Sequence, residues 1–502
     1  MRRLARLLLL SAVGTAALFV LPAAATAEHE LRPTENLRAL GHSPHAATFQ
    51  GTVSALRNVN SDIAFQGNFS FNGNYDGFRI IRNSRDNPRV VSWTHCNGDQ
   101  GDIVVWRNIL VRAWNSPAPA DDPATPVREN RFCDGEPVPE GFEGVHVFDI
   151  SNRSDPVLVG SVELSDRPEA DAFGCGSHTI TAAPDFENDR LIVYNQTSGG
   201  PCPFIGILEV PFDAPEDAAF VRNEPLPGLE PDHAGHDEGV ILGNVNKLAV
   251  ASHTHANVFD IGDNDTPGGS LEDPEPLFGI EEEGVCSEEG DDPQRPCNGN
   301  WHSASFTWDG EVVILGWEPG GGSQPECEAT DPDVKKSAFF YDADTGEKLG
   351  QWVLPRPQIG LVEATPEAGA ENCTIHNYNV VPTRNGSYIL VSGNYQAGTW
   401  VTDFSDPANP ETLAFSDPEP LQQVFNPMGE MVNELGGAWS SYWYNGVIYE
   451  SEITKGLNLF EYTGGETRTA LKLRRLNPQT QEFSIGATRA RAGGGRNSDD
   501  GV

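Results

Sequence analysis

The chain has 502 residues and carries 33 Lys and Arg against 73 Asp and Glu, a formal net charge of −40. That balance excludes a nucleic-acid reader driven by phosphate contacts, which needs a basic face. Ten Trp, 24 Phe and a hydrophobic content of 38% supply a large core and exclude a disordered chain, and the length allows roughly one to four domains.

Arg2, Arg3 and Arg6 precede an apolar run from Leu7 to Leu21, and Ala25-Thr26-Ala27 follows. Charge, apolar run and small-x-small site predict a secretory signal peptide over residues 1–27. The run of about 15 residues is short of the roughly 20 that a spanning helix needs, and no later stretch is apolar enough to span a bilayer. The expected setting is secreted or cell-surface, in a bacterium. A lead-in segment, 28–60, follows. The acids are scattered through loops such as Glu281-Glu282-Glu283 and read first as a solubility feature.

The cysteines are Cys96, Cys133, Cys175, Cys202, Cys286, Cys297, Cys327 and Cys373. An even count in an exported chain predicts disulfides, and the absence of a CxxC argues against a zinc ribbon or redox motif. Sequence neighbours would pair as 96–133, 175–202, 286–297 and 327–373.

From 61 to 463 the sequence is all-β. Apolar and polar residues alternate at 190–195, 247–252, 388–393 and 447–451, with Asp, Asn, Gly and Pro turns between them. The order recurs: a polar-led strand, an apolar strand, a strand ending in Phe-Asp or similar, then a Pro-rich connection. Units start near Asp62, Asp102, His178, His236, His302, His376 and Trp439, 40 to 76 residues apart. The expectation is one β-propeller of seven four-stranded antiparallel blades, with six or eight blades, or two β-sandwiches, as alternatives.

Gly144–Val162 reads GVHVFDISNRSDPVLVGSV and Thr399–Phe415 reads TWVTDFSDPANPETLAF; looser echoes lie at Gly77–Trp93 and Ala256–Gly268. These resemble the LVIVD repeat of secreted bacterial propellers. The resemblance implies the propeller fold and an extracytoplasmic setting, and no particular activity. Independently, Asp149, Ser151, Asp155, Asp403, Ser405 and Asp406 suit side-chain-to-backbone turns, with Pro156 and Pro407 fixing φ.

The tetrads that open the units are SDIA, GDIV, SHTI, GHDE, WHSA, IHNY and AWSS. Their second positions are Asp62, Asp102, His178, His236, His302, His376 and Trp439. First strands line a propeller's channel, so these residues are expected at one level around its mouth. Four His and two Asp there suit a divalent transition metal such as Zn²⁺, Cu²⁺, Fe²⁺ or Mn²⁺. The competing reading is polar residues that seal blade against blade. A His-lined propeller is also loosely similar, at the level of fold, to copper-dependent thiol oxidases.

The loops carrying the cysteines, and the insertions 115–142, 262–299 and 317–335, are expected on the face where this ring opens, together with His253 and His255. Such a face suits ligand binding. No G-x-S-x-G, H-E-x-x-H or phosphate-binding loop occurs. Residues 464–502 are basic, with Lys472, Arg474, Arg475, Arg489 and Arg491. Leu471–Leu476 is expected to add a strand or dock on the ring, and the rest of the tail to be disordered. Two functions follow. One is a monomeric exported propeller that binds a small ligand or extracytoplasmic protein. The other is a metal-dependent oxidoreductase or hydrolase with His178, His236, His302 and His376 as ligands and Asp62, Asp102 or Asp237 as orienting or proton-accepting groups.

Overall fold

The computed structural model describes residues 31, 33–45, 48–49, 56–120, 131–164, 175–243, 245–262, 268–282, 299–319, 332–355, 372–418, 423–425, 431–433 and 436–485. The expected signal peptide lies outside the described residues. Among the described residues the chain is all-β, with short 3-10 turns at Pro215–Asp217, Asp333–Lys336 and Glu466–Thr469 and no α-helix.

Seven four-stranded antiparallel units follow one another among these residues. Their first strands are Asn60–Gln66, Ile103–Trp106, Thr179–Asp185, Gly235–Ile241, Gly299–Phe306, Asn377–Val380 and Ala438–Tyr444. In the first unit Phe69–Asn74, Gly77–Arg82 and Arg89–His95 add outward in chain order. The last unit takes its outer strand from the other end of the chain. Leu37–Pro44 pairs antiparallel with Gly456–Tyr462, Leu37 opposite Tyr462 and Pro44 opposite Gly456. Each first strand packs beside the next, and Ala438–Tyr444 packs beside Asn60–Gln66. Asn377 also bridges Ser440 in parallel, joining the sixth and seventh units into one sheet. The arrangement is consistent with a β-propeller.

Local chemistry sets these hairpins. Asn445 and Gly446 sit at φ 54° and 89°, the left-handed pair that a two-residue hairpin loop needs. Asp149 Oδ1 accepts the Ser151 N–H at 2.7 Å and Asp403 Oδ1 the Ser405 N–H at 2.8 Å. These residues therefore act as turn chemistry. Gly456, at φ +129°, starts a third strand where a Cβ would lie 2.2 Å from the Ser43 carbonyl oxygen. Only glycine lets the N-terminal strand close on it.

The sheets stack through apolar faces. Between the fourth and fifth units Ile241, Ala251, Val258, Trp301, Leu315 and Trp317 form one buried cluster. Truncating one such Trp to Ala costs about 3–5 kcal/mol. Buried Arg112 ties the first two units together. Its guanidinium donates to the Asn74 and Ala113 carbonyls at 2.9 Å, and burial lowers its pKa to about 9.

Residues 464–485, assigned from sequence to the tail, run across the ends of the first strands; 486–502 lie outside the described residues. Arg475–Leu476 pairs with Phe65 and Gln66. Asn477 exchanges two bonds with the Val105 backbone, at 2.9 and 3.0 Å. The Gln479 carbonyl accepts the Val240 N–H at 2.8 Å, and Thr480–Gln481 pairs in parallel with Val240 and Ile241. Thr480 Oγ1 donates to the Ala182 carbonyl at 3.0 Å and Gln481 Nε2 to Ser305 Oγ at 3.2 Å. Five units are thus stitched together across one end of the central space.

Two predictions follow from this packing. Asn477→Ala leaves the buried Val105 N–H and C=O without partners, so it is expected to cost about 2 kcal/mol; equilibrium denaturation at wild-type stability would remove the sealing role of this segment. The second concerns Glu452, which accepts N–H groups of Gly437 at 2.9 Å, Thr454 at 2.8 Å and Lys455. Burial nevertheless pushes its pKa from 4.5 up to about 7. The folded state therefore holds the proton more tightly, and this contribution is full below pH 4.5 and lost as pH rises through 7. The loss is of the order of 3 kcal/mol. Glu452→Gln is expected to be weaker at pH 5 but to lose less stability between pH 5 and 8; an unchanged pH slope contradicts this.

Candidate metal centre

The heads of the first strands share one irregularity. Pairing with the second strand shifts register between Gly235 and Asp237, between Trp301 and Ser303, between Ala438 and Ser440, and between Asn60 and Ile63. His236, His302 and Trp439 are the residues bulged out, and Ser61-Asp62 share the slip in the first unit. In the third unit Gln196 pairs with Thr179 while its carbonyl also accepts the His178 N–H at 2.8 Å. In the sixth, Gly393 does the same for Asn377 and His376, at 3.0 Å. A bulge re-aims a side chain off the strand's alternation.

The four imidazoles consequently form a chain. Ring centroids lie 4.7 Å apart for His178–His236, 4.2 Å for His236–His302 and 4.0 Å for His302–His376. His376 then meets Trp439 edge-on at 4.9 Å and Tyr395 at 4.2 Å. All four His are buried. Burial lowers the pKa of His178 and His376 to about 3 and drives those of His236 and His302 well below the usual value. The rings are therefore neutral near pH 7.

Acceptors fix the tautomers of three of them. His178 Nδ1 lies 3.1 Å from Asn115 Oδ1, His236 Nδ1 lies 3.1 Å from the His302 carbonyl, and His376 Nδ1 bonds the Trp439 carbonyl. Oxygens that can only accept require the proton on Nδ1. Each of these Nε2 atoms then keeps its lone pair, the form in which imidazole binds metal.

Glu318, at the end of Val312–Pro319, faces two of these rings. Its Oε2 lies 3.9 Å from His302 Nε2 and its Oε1 3.9 Å from His376 Nε2. That is too long for a hydrogen bond. Ligand atoms of His236, His302 and Glu318 all lie within 4.8 Å of one another. Two ligands at about 2.0–2.1 Å from a tetrahedral ion sit about 3.3 Å apart, so a modest contraction seats a metal here. Tyr395 Oη donates to Glu318 Oε1 at 2.7 Å, from a backbone held at φ +45°, a conformation a bulky residue rarely adopts. Burial pushes Glu318 up to about 7, against the Tyr395 bond. Neither Glu318 nor Tyr395 stands out in the sequence search; the available signal was an acid ending an otherwise apolar strand.

Asp62 and Asp102 are not part of the His236–His302–Glu318 group. With Asp237 they line a small cavity that also touches His178, His302 and His376 and is bounded by Gln479. Asp62 is raised by burial, Asp102 is raised to about 8 by burial and then by the Asp62 charge, and Asp237 is raised well above its ordinary value by burial and then by the Asp102 charge. His253 and His255 take separate partners. His253 stacks on His233 at 4.1 Å, and His255 Nε2 lies 2.7 Å from Glu281 Oε1.

Cys96–Cys133 and Cys175–Cys202 are disulfides, and Cys373 is also disulfide-bonded. Cys286, Cys297 and Cys327 lie outside the described residues. The sulfurs of Cys96 and Cys133 approach His146 closely enough for a metal group, but a disulfide has no thiolate to give. Cys175 and Cys373 each stand three residues before a ring histidine, so these bonds anchor the backbone beside His178 and His376. No protein-family model matches the chain, and no curated protein matches it.

Proposed function

We propose that the seven units are the blades of a closed propeller, and that its mouth is a metal centre for a small ligand on an exported protein. His236, His302 and Glu318 would hold the ion, with His376 able to enter the same coordination sphere and His178 completing the row. The observation that carries this reading is the pair of 3.9 Å gaps between Glu318 and two Nε2 atoms. With the His376 proton on Nδ1, no hydrogen bridges its gap to Glu318. An ionised carboxylate facing that lone pair is repulsive until a cation or a proton lies between them.

Mixed imidazole and carboxylate donors suit Zn²⁺, Cu²⁺, Fe²⁺ or Mn²⁺. Such an ion would supply Lewis acidity or one-electron exchange. The chain's own residues do the rest. Backbone carbonyls hold His236 and His376 in one tautomer, Asn115 holds His178, Tyr395 orients Glu318, and the stacked sheets keep bulk water away. The resemblance to LVIVD propellers supports the blade assignment. The disulfides suit an oxidising compartment and so support export. They also favour a second reading, a rigid loop-bearing face that binds a protein partner without metal.

Elemental analysis of protein purified without a chelating tag separates the two. Near-stoichiometric transition metal is expected, falling below about a tenth in a His236→Ala, His302→Ala double variant and weakening in Glu318→Gln, with the β-sheet circular dichroism unchanged. A wild-type protein that takes up no metal even when offered Zn²⁺, Cu²⁺ and Mn²⁺ would leave the histidines as interblade structure and the partner-binding reading standing.

A further inference from the structure

The C-terminal segment builds a cavity of its own. It lies where Arg475–Leu476 pairs with Phe65 and Gln66, at the opposite end of the first strands from the His row, and has a volume of ≈ 220 Å³. That is room for about seven waters, less than a drug-sized ligand needs. Its charged lining residues are Lys472, Arg474, Arg475 and Glu482. Arg475 Nε donates to both Glu482 oxygens, at 2.7 and 2.9 Å, so this pair cancels itself. Lys472 and Arg474 are exposed, and among the described residues neither forms an ion pair. The cavity is therefore positive in a chain of net charge −40.

One wall is aromatic. Trp308 and Phe483 both line the cavity, with ring centroids 5.0 Å apart, and Phe483 stays 38% exposed. The backbone beneath these groups is pinned. Asn445 Nδ2 donates to the Leu473 carbonyl at 2.8 Å, and its Oδ1 accepts the Leu473 N–H at 2.7 Å. The Arg474 carbonyl accepts the Gly67 N–H at 2.7 Å and Tyr444 Oη at 3.1 Å. The Ile485 N–H donates to the Trp308 carbonyl at 2.6 Å. Two uncancelled cations and an apolar wall thus sit on one fixed rim, the combination by which small-ligand sites set affinity and orientation.

We propose that this cavity binds a small aromatic carboxylate, its ring against Trp308 and Phe483 and its carboxylate toward Lys472 and Arg474. Ring-on-ring contact and a charge-assisted bond to a guanidinium are each favourable there. An inorganic anion would leave the aromatic wall unused, and an organic cation would meet two positive charges. No residue of the His–Glu318 centre lines the cavity, so the two sites stand or fall separately.

Titration calorimetry of the full chain at low ionic strength, with benzoate and naphthoate as probes, provides the test. Benzoate is expected to bind at one equivalent, and to weaken as salt rises. Benzyl alcohol, which keeps the ring and lacks the charge, is expected to bind at least tenfold more weakly. A Lys472→Gln, Arg474→Gln double variant is expected to lose at least tenfold in benzoate affinity with its melting temperature unchanged, since both side chains are exposed. Phe483→Ala is expected to weaken benzoate as well. The His236→Ala, His302→Ala variant is expected to keep this equivalent in full, which separates it from a carboxylate bound to a metal. A wild-type protein that binds neither probe saturably would overturn the proposal. So would undiminished benzoate binding in the Lys472 and Arg474 double variant, or inorganic phosphate that displaces benzoate at equal concentration. The comparison of benzoate with benzyl alcohol on the wild type decides the matter even if a variant does not fold.

Discussion

A first strand in unbroken register presents alternate residues to the two faces of its sheet. At the heads of these strands the register slips by one residue, and the residue at the slip is turned out of the alternation. The placing of His236 and His302 depends on that slip. With it, their rings stack in a row while the strands on either side continue to bury Trp301, Ala304 and Phe306. The cost is one unpaired backbone position per strand, met in the third and sixth units by a carbonyl that serves two residues.

The surroundings then decide the chemistry. A dry, sheet-walled space holds imidazoles neutral and carboxylates partly protonated, because burial penalises the charged form of both. Opposite signs of shift at His376 and Glu318 have one cause. The overall acidity of the chain is a different matter. It resides in exposed loops, where charges are hydrated and screened, and it does not set the potential at the mouth.

The sequence reveals the repeat because each unit needs the same turn residues at the same places: Asp149 and Asp403 for side-chain turns, Asn445-Gly446 for a tight hairpin. It also reveals the positions of the four histidines, because the tetrads recur at the head of each first strand. What pairs with them is illegible. Glu318 reaches the row from a second strand, and Tyr395 from the turn after another, through spatial neighbourhoods that a single chain order does not encode. Asp237 is legible as a candidate orienting or proton-accepting group, but its placement is not: it follows His236, and the register shift between Gly235 and Asp237 that breaks the strict alternation has no mark in the sequence. The C-terminal stretch is misleading for want of periodicity: Asn477, Gln479 and Gln481 make their contacts through amides, in a segment too short and polar to read as a strand.

The strand Leu37–Pro44 lies on the outside of the last unit, against residues more than four hundred positions away. Its pairing has a temporal meaning. Contacts so distant in sequence are slow to form, since the chain must first lose the entropy of a very long loop. The final sheet cannot be completed until residue 462 has been synthesised and has found its partner near residue 40. The last unit is therefore complete only after the two ends of this fold have met.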